Sequence, residues 1–410
     1  MIKNLHKFLF YLLVFLVPLN LGKHFVYNWS YVHGLLVDYL VPTVYVTDLL
    51  LVLVLAFWLI TFNKEEVKRT TRLLNEKGLV FLFLFFVSLG FSIAVASEPS
   101  AALYMVFKHI LYGGLFLYVL RNFDTVKDFS RIARIFSISV FLLSILAFAQ
   151  WFSQGSLFDN YLVFGEQPYS TSTPGIVKES FFGNTVVPSY GIFRHPNIFA
   201  GFLSIALLYM LVLIPEDKFA LLSFALGCVA LLLTFSKFTW LVFAFSLVVV
   251  LFIKWFGKPA KGAILALSIL VFVLLFFLSI FSTNDFVAGT RSLSRRADLL
   301  SDTYTLVRDN ILFGVGPGGT YEYVKEWRFI QPVHNVFVLV LAESGIFALL
   351  FFSLFIFATL KKAYPKDLLL IILLQVLLLA GFDHFFYTIN QAQLLFWLTL
   401  GIIYTYNLKQ

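Results

Sequence analysis

The sequence predicts an all-α polytopic membrane protein of about twelve transmembrane helices, with a long, partly helical outer loop between the ninth and tenth. Three observations point there. Of the 410 residues, 60% are hydrophobic and 13% charged, and the mean hydropathy is +0.90, a composition outside that of soluble globular domains. Apolar runs near the ~20 residues needed to cross about 30 Å of hydrocarbon recur along the chain. Lysine and arginine gather in alternate connections between those runs, as the orientation bias of membrane helices requires.

In order, the runs fall at 7–22, 44–62, 79–97, 101–120, 132–152, 196–214, 219–235, 238–256, 262–282, 335–360, 367–383 and 391–408. The first follows Lys3 and Lys7 and resembles a signal peptide. It lacks a small-x-small cleavage site and contains Pro18, which fits an uncleaved anchor. With the N-terminus inside, the short inner connections receive Lys64, Lys68, Arg69, Arg72 and Lys77, then Arg121, Lys127, Arg131 and Arg134, then Lys254, Lys258 and Lys261, and finally Lys361, Lys362 and Lys366. Outer basic residues concentrate in one long loop, where the bias is weak. Both termini are therefore expected in the cytoplasm, and 1–410 reads as one integral membrane domain.

The formal charge of +8 is explained by this orientation rather than by nucleic acid, because no basic run is interleaved with soluble structure. Cys228 is the only cysteine, so an internal disulfide and a thiolate metal cluster are excluded. No phosphate-binding Gly-x-x-x-x-Gly-Lys-Ser/Thr loop, no His-Glu-x-x-His and no compact carboxylate cluster is present, which argues against ATP hydrolysis and metal-dependent sugar transfer. Neither a cofactor nor a metal is expected.

Three outer segments, 23–43, 153–195 and 283–334, are long enough to hold structure. The middle one is rich in Ser, Thr, Pro and Gly and reads as an irregular ordered loop. In the third, Leu299, Leu300, Thr303, Tyr304, Leu306 and Val307 recur at helical spacing after Arg296. That pattern predicts a short amphipathic helix on the membrane surface, ended by Asp309, Asn310 and the glycines from Gly314 to Gly319.

Reactive polar groups belong where water and substrate reach them, since an unpaired polar atom in hydrocarbon costs several kcal/mol. Arg296, with Arg295 beside it and Arg291 upstream, offers forks that match phosphate oxygens; binding lipid headgroups is the other reading. His334, between Pro332 and the tenth span, has a natural pKa of about 6.5 and the reach of a general base, or is an interfacial histidine bonded to backbone. Asn335 stands next to it. Glu343 lies nine residues beyond, roughly 13 Å along an ideal helix, so packing or loop anchoring fits it better than pairing. Arg194 and His195 open the sixth span ahead of Pro196, where capping is an alternative. Lys237 is a cation in a short outer hairpin, accounted for by an anionic ligand or by snorkelling to headgroups. Asp383-His384 and Lys108-His109 are weaker candidates: capping or pairing suits the first, and reaching an interface suits the second.

Four pieces occur in order: GIFRHPNIFA from Gly191 to Ala200, Ser236-Lys237-Phe238-Thr239-Trp240, Arg296 through the Leu312-Phe313-Gly314-Val315-Gly316-Pro317-Gly318 turn, and His334-Asn335 leading to Ala342-Glu343-Ser344-Gly345-Ile346. Together they span 191–346 and resemble the O-antigen ligase family, which also includes polysaccharide polymerases. The resemblance implies a C-type membrane glycosyltransferase that moves a glycan from an undecaprenyl diphosphate carrier to an acceptor hydroxyl outside the cytoplasmic membrane, without nucleotide sugar or metal. Partners would be the polyprenyl diphosphate-linked glycan, a lipid, glycan or protein acceptor, and membrane lipids. It also implies that Arg296 and a second basic residue hold the donor diphosphate while His334 activates the acceptor. Lys237 stands where the family usually has arginine, keeping the charge and losing the fork; Arg194 and Arg291 are further candidates for the diphosphate, with Arg295, Asn335 and Glu343 in support. A polymerase would differ in acceptor. A flippase of lipid-linked glycan would place polar residues near the midplane with broken helices, whereas these spans are mainly Leu, Phe, Val and Ile.

Overall fold

The computed structural model describes residues 2–61, 76–124, 127–256, 291–325 and 330–405. Helices dominate: α1 (Ile2–Leu16), α2 (Val46–Ile60), α3 (Lys77–Ser92), α4 (Pro99–Asn122), α5 (Lys127–Ser153), α6 (Pro196–Met210), α7 (Lys218–Leu233), α8 (Lys237–Phe256), α9 (Arg291–Asp309), α10 (Val336–Ala363), α11 (Asp367–Phe382), the single turn α12 (Phe385–Thr388) and α13 (Asn390–Thr405). Each expected span except the ninth coincides with one of these helices. The ninth, 262–282, lies outside the described residues. Among the described residues, five stretches are long and apolar enough to cross a membrane: Lys77–Val95, Pro99–Asn122, Lys127–Ser153, Lys237–Trp255 and Val336–Ala363. Other apolar helices are shorter.

One apolar core joins the helices. The pairs α3 with α10, α5 with α7, α13 with α4 and α1 with α2 pack closely, with Phe85 against Phe352, Phe141 against Phe219 and Phe116 against Trp397. Between helices that lie in hydrocarbon, such contacts stabilise through close van der Waals packing rather than by removing apolar surface from water.

Two segments between helices meet, the Tyr161 hydroxyl accepting from the Gly22 amide at 3.0 Å and Arg194 bonding His24 at 3.1 Å. Segment 22–45 forms two small antiparallel ribbons, β1 (Gly22–His24) with β4 (Thr43–Tyr45) and β2 (Tyr31–Val32) with β3 (Leu35–Leu36). Segment 153–195 is largely turns with one hairpin, β5 (Glu179–Phe181) and β6 (Asn184–Val186). Gln150, at the end of α5, fixes that segment: its amide donates to the Gly191 carbonyl at 2.7 Å and to Glu166 at 2.6 Å and accepts from the Tyr190 and Gly191 amides.

Two expectations need correction. α10 is not one straight span: Gly345 breaks it at φ 78°, ψ −178°. The Leu312–Gly316 turn lies in the break, with Val315 N–H donating to Ala342, Gly316 N–H to Glu343 and Ile346 N–H to the Ile311 carbonyl. A Cβ on Gly345 would sit 2.1 Å from the Leu312 carbonyl oxygen, and one on Gly314 2.4 Å from the Glu343 carbonyl carbon, so both positions require glycine. The second concerns α9, whose apolar stripe faces protein rather than lipid. Leu299, Thr303 and Leu306 are buried while Tyr304 is exposed, and Leu306 packs with Val315 and Ala342.

Candidate active site

The C-terminus of α11 is where the site is assembled. A helix end leaves carbonyls without intrahelical donors, and here side chains from two other elements supply them. Arg296 Nη1 donates to the Phe382 carbonyl at 2.9 Å and Asn335 Nδ2 to the Gly381 carbonyl at 2.8 Å. Asn335 is at the same time the N-cap of α10, its Oδ1 accepting from the Phe337 and Val338 amides. A cation and a donor at a helix C-terminus are both favoured there.

Around this end, Arg296 Nη2 lies 3.6 Å from Asp383 Oδ2 and the guanidinium sits 4.3 Å above the Phe382 ring, which stacks on Phe238 at 3.6 Å. The Arg296–Asp383 separation exceeds the 2.7–2.9 Å of a tight charge-assisted bond, so that donor is not firmly committed. The His334 and His384 rings meet edge to face at 4.9 Å. His384 Nδ1 bonds the Thr388 hydroxyl at 2.7 Å. His334 Nδ1 is buried and has no hydrogen-bond partner, a condition rare enough in folded proteins to point at function.

Electrostatics fix the protonation states. Burial, and then the Arg296 charge, hold the His334 imidazolium well below its ordinary range, so the ring is neutral near pH 7 and able to accept a proton. His384 and His195 are each lowered to about 4, chiefly by burial.

His334, Asp383 and His384 offer ligand atoms that all lie within 4.8 Å of one another, close enough for a metal ion. The set joins residues 49 apart in sequence, which only the fold brings together. Arg296 competes for the same carboxylate, which opposes a divalent cation there.

The remaining expected residues are distributed as follows. Arg295 precedes Arg296 on α9 and is partly exposed. Arg291 begins α9, but its side chain lies outside the described residues. Lys237 is exposed and pairs with Glu179 of the β5–β6 hairpin at 3.0 Å. Its motif neighbours are structural: the Trp240 indole donates to the Leu231 carbonyl at 2.7 Å, closing the α7–α8 turn. Arg194 donates from Nη2 to His24 Nε2 and to the Tyr45 hydroxyl, each at 3.1 Å, and faces a polar cleft adjoining the cluster. Glu343 is buried, accepts from the Thr320 hydroxyl at 3.1 Å and lines that cleft. His195 caps α6, Nδ1 accepting from the Asn197 amide.

Two groups that the sequence ranked low take part in buried contacts. Asp383 pairs with Arg296 and His384 packs edge to face on His334. Lys108 is buried in a 2.5 Å ion pair with Asp48, and the His109 ring packs tilted against Tyr387 at 4.3 Å. The signal available for both was an ionisable pair inside or at the end of an apolar span.

Residues 222–353 match the model of a family described as O-antigen ligase. The match takes in the Ser236–Trp240 piece, Arg296 with the glycine turn, and His334 through Ile346. Gly191–Ala200 and Asp383–His384 lie outside it. No curated protein matches the chain.

Proposed function

We propose that this chain, whose residues 222–353 have the O-antigen ligase family's pattern, transfers a glycan from a polyprenyl diphosphate, such as undecaprenyl diphosphate, to an acceptor hydroxyl, as a ligase. A coarser description, an O-antigen ligase- or polymerase-type membrane glycosyltransferase, follows from the family match and the apolar helices. The single observation that supports the finer reading best is His334, a neutral imidazole with an unpartnered buried nitrogen, beside the part-committed guanidinium of Arg296.

The chemistry balances on these groups. His334 takes the proton of the acceptor hydroxyl, whose oxygen attacks the anomeric carbon. The bond from that carbon to the diphosphate oxygen breaks, and its electron pair leaves on the diphosphate. Arg296 stabilises this developing charge in a site shielded from water. Lys237 reaches the same anion on exchanging Glu179 for it. Asp383 positions Arg296 and polarises the histidines. Attack opposite the leaving group inverts the anomeric centre, and no metal enters the scheme. A polymerase would use the same residues with a carrier-linked glycan as acceptor, whereas a flippase would break no bond.

In this reading the chain has twelve spans in the cytoplasmic membrane with both termini inside. The functional core runs over 191–346 and the 283–334 loop faces outward, as does the site. Arg296→Ala and His334→Ala should each abolish transfer while the protein still inserts and elutes as a single folded species. Full activity in both variants removes the assignment.

A further inference from the structure

A polar cleft adjoins the His334–Asp383–His384 cluster and shares two wall residues with it. Tyr39 lines the cleft and packs edge-on to His384 at 5.4 Å; Thr388 lines it and bonds His384. Two cations face the cleft, and they differ. Lys108 is neutralised by Asp48 at 2.5 Å. Arg194 has only neutral partners, His24 and Tyr45, and among the described residues no carboxylate lies within 4.0 Å of it. Asp38 acts on it from longer range, and Glu343 across the cleft is engaged by Thr320.

A second observation points to a missing ligand. Tyr387, 7% exposed, lines the same cleft, and its hydroxyl has no hydrogen-bond partner of acceptable geometry, the nearby Ser344 hydroxyl notwithstanding. Buried polar groups left this way are costly, about 1–3 kcal/mol, unless something binds them. Ring faces, a free hydroxyl and one unneutralised fork suit a sugar bearing a carboxylate, because the fork meets two carboxylate oxygens at once.

We propose that this cleft is a glycan subsite that seats an acidic sugar of the uronate class, its carboxylate on Arg194 and a ring hydroxyl on Tyr387, next to the transfer centre. The inference rests on the transferase reading and adds a preference for acidic glycans to it. It separates Arg194 from the diphosphate, which stays with Arg296.

Binding to the purified full-length protein in nanodiscs, measured by ligand-observed NMR titration, tests this without catalysis. The probes are methyl glucuronide, methyl glucoside and inorganic pyrophosphate. Wild type should bind the glucuronide about tenfold more tightly than the glucoside, and Arg194→Gln should erase that difference while leaving pyrophosphate affinity within about twofold. Tyr387→Phe, which removes one hydroxyl from a retained ring, should weaken both sugars about three- to tenfold. Equal affinity for the two sugars in wild type, or a preference that survives Arg194→Gln, overturns the proposal. So does loss of pyrophosphate binding in that variant, which would return Arg194 to the diphosphate, and so does unchanged sugar binding in Tyr387→Phe. Transfer without the glucuronide preference sinks this inference alone; the preference without transfer sinks only the enzymatic reading.

Discussion

Replacing Arg296 by lysine keeps one positive charge and removes the fork, which isolates geometry from charge. Two contacts set the size of the effect. The Nη1 donor to the Phe382 carbonyl at 2.9 Å is charge-assisted and worth about 1.5–3 kcal/mol. The guanidinium 4.3 Å above the Phe382 ring adds about 1–2 kcal/mol where water is excluded. An ammonium can keep one of these and cannot keep both while also meeting the diphosphate. Losing one preorganised donor to a developing anion costs roughly 10²–10³ in rate. Arg296→Lys should therefore lower kcat/KM about 100-fold and Arg296→Ala about 1,000-fold or more. The assay is the initial rate of glycan transfer by protein whose elution profile and melting temperature match wild type. A lysine variant within about threefold of the wild-type rate would refute the reasoning, since charge alone would then suffice.

The remaining predictions concern pH, backbone and metal. Because burial and Arg296 depress His334, the neutral base persists below the ordinary histidine value of about 6.5; the transfer rate should hold level through that pH and fall only at lower values, and an acid limb centred near 6.5 would contradict this. Stability behaves differently. His384 and His195 are lowered to about 4, so below about 6.5 the unfolded chain takes up protons that the native state refuses. The melting temperature should decline from pH 6.5 towards 4. Gly345→Ala places a Cβ 2.1 Å from the Leu312 oxygen at φ 78° and should destabilise by about 3 kcal/mol or more, read as a lowered melting temperature; an unchanged value would mean the turn does not lock the break in α10. Chelation with EDTA should leave turnover intact, while loss of activity restored by one divalent ion would assign the His334–Asp383–His384 set to a metal.

Much of the helical architecture was legible because apolar length and basic spacing are local properties. The α9 pattern was legible for the same reason: Leu299, Thr303 and Leu306 repeat at helical period and are buried, although periodicity could not say whether lipid or protein covers them. The break at Gly345 was hidden, since its cause is a backbone approach from Leu312, 33 residues away. Arg296 and His334 stood out through the ordered motifs. Asp383 did not, because its importance lies in meeting Arg296 across 87 positions of sequence. Nor could the sequence separate Lys237 from Arg194, as one is paired with Glu179 at the surface and the other lines a cleft.

Mass analysis of both products from purified protein, a defined polyprenyl diphosphate glycan and an acceptor alcohol tests the central claim most directly. The account predicts one free polyprenyl diphosphate for each glycan joined to the acceptor, with the anomeric configuration inverted and neither product formed by His334→Ala. Glycan that crosses the bilayer still attached to its carrier, with no acceptor modified, would contradict it.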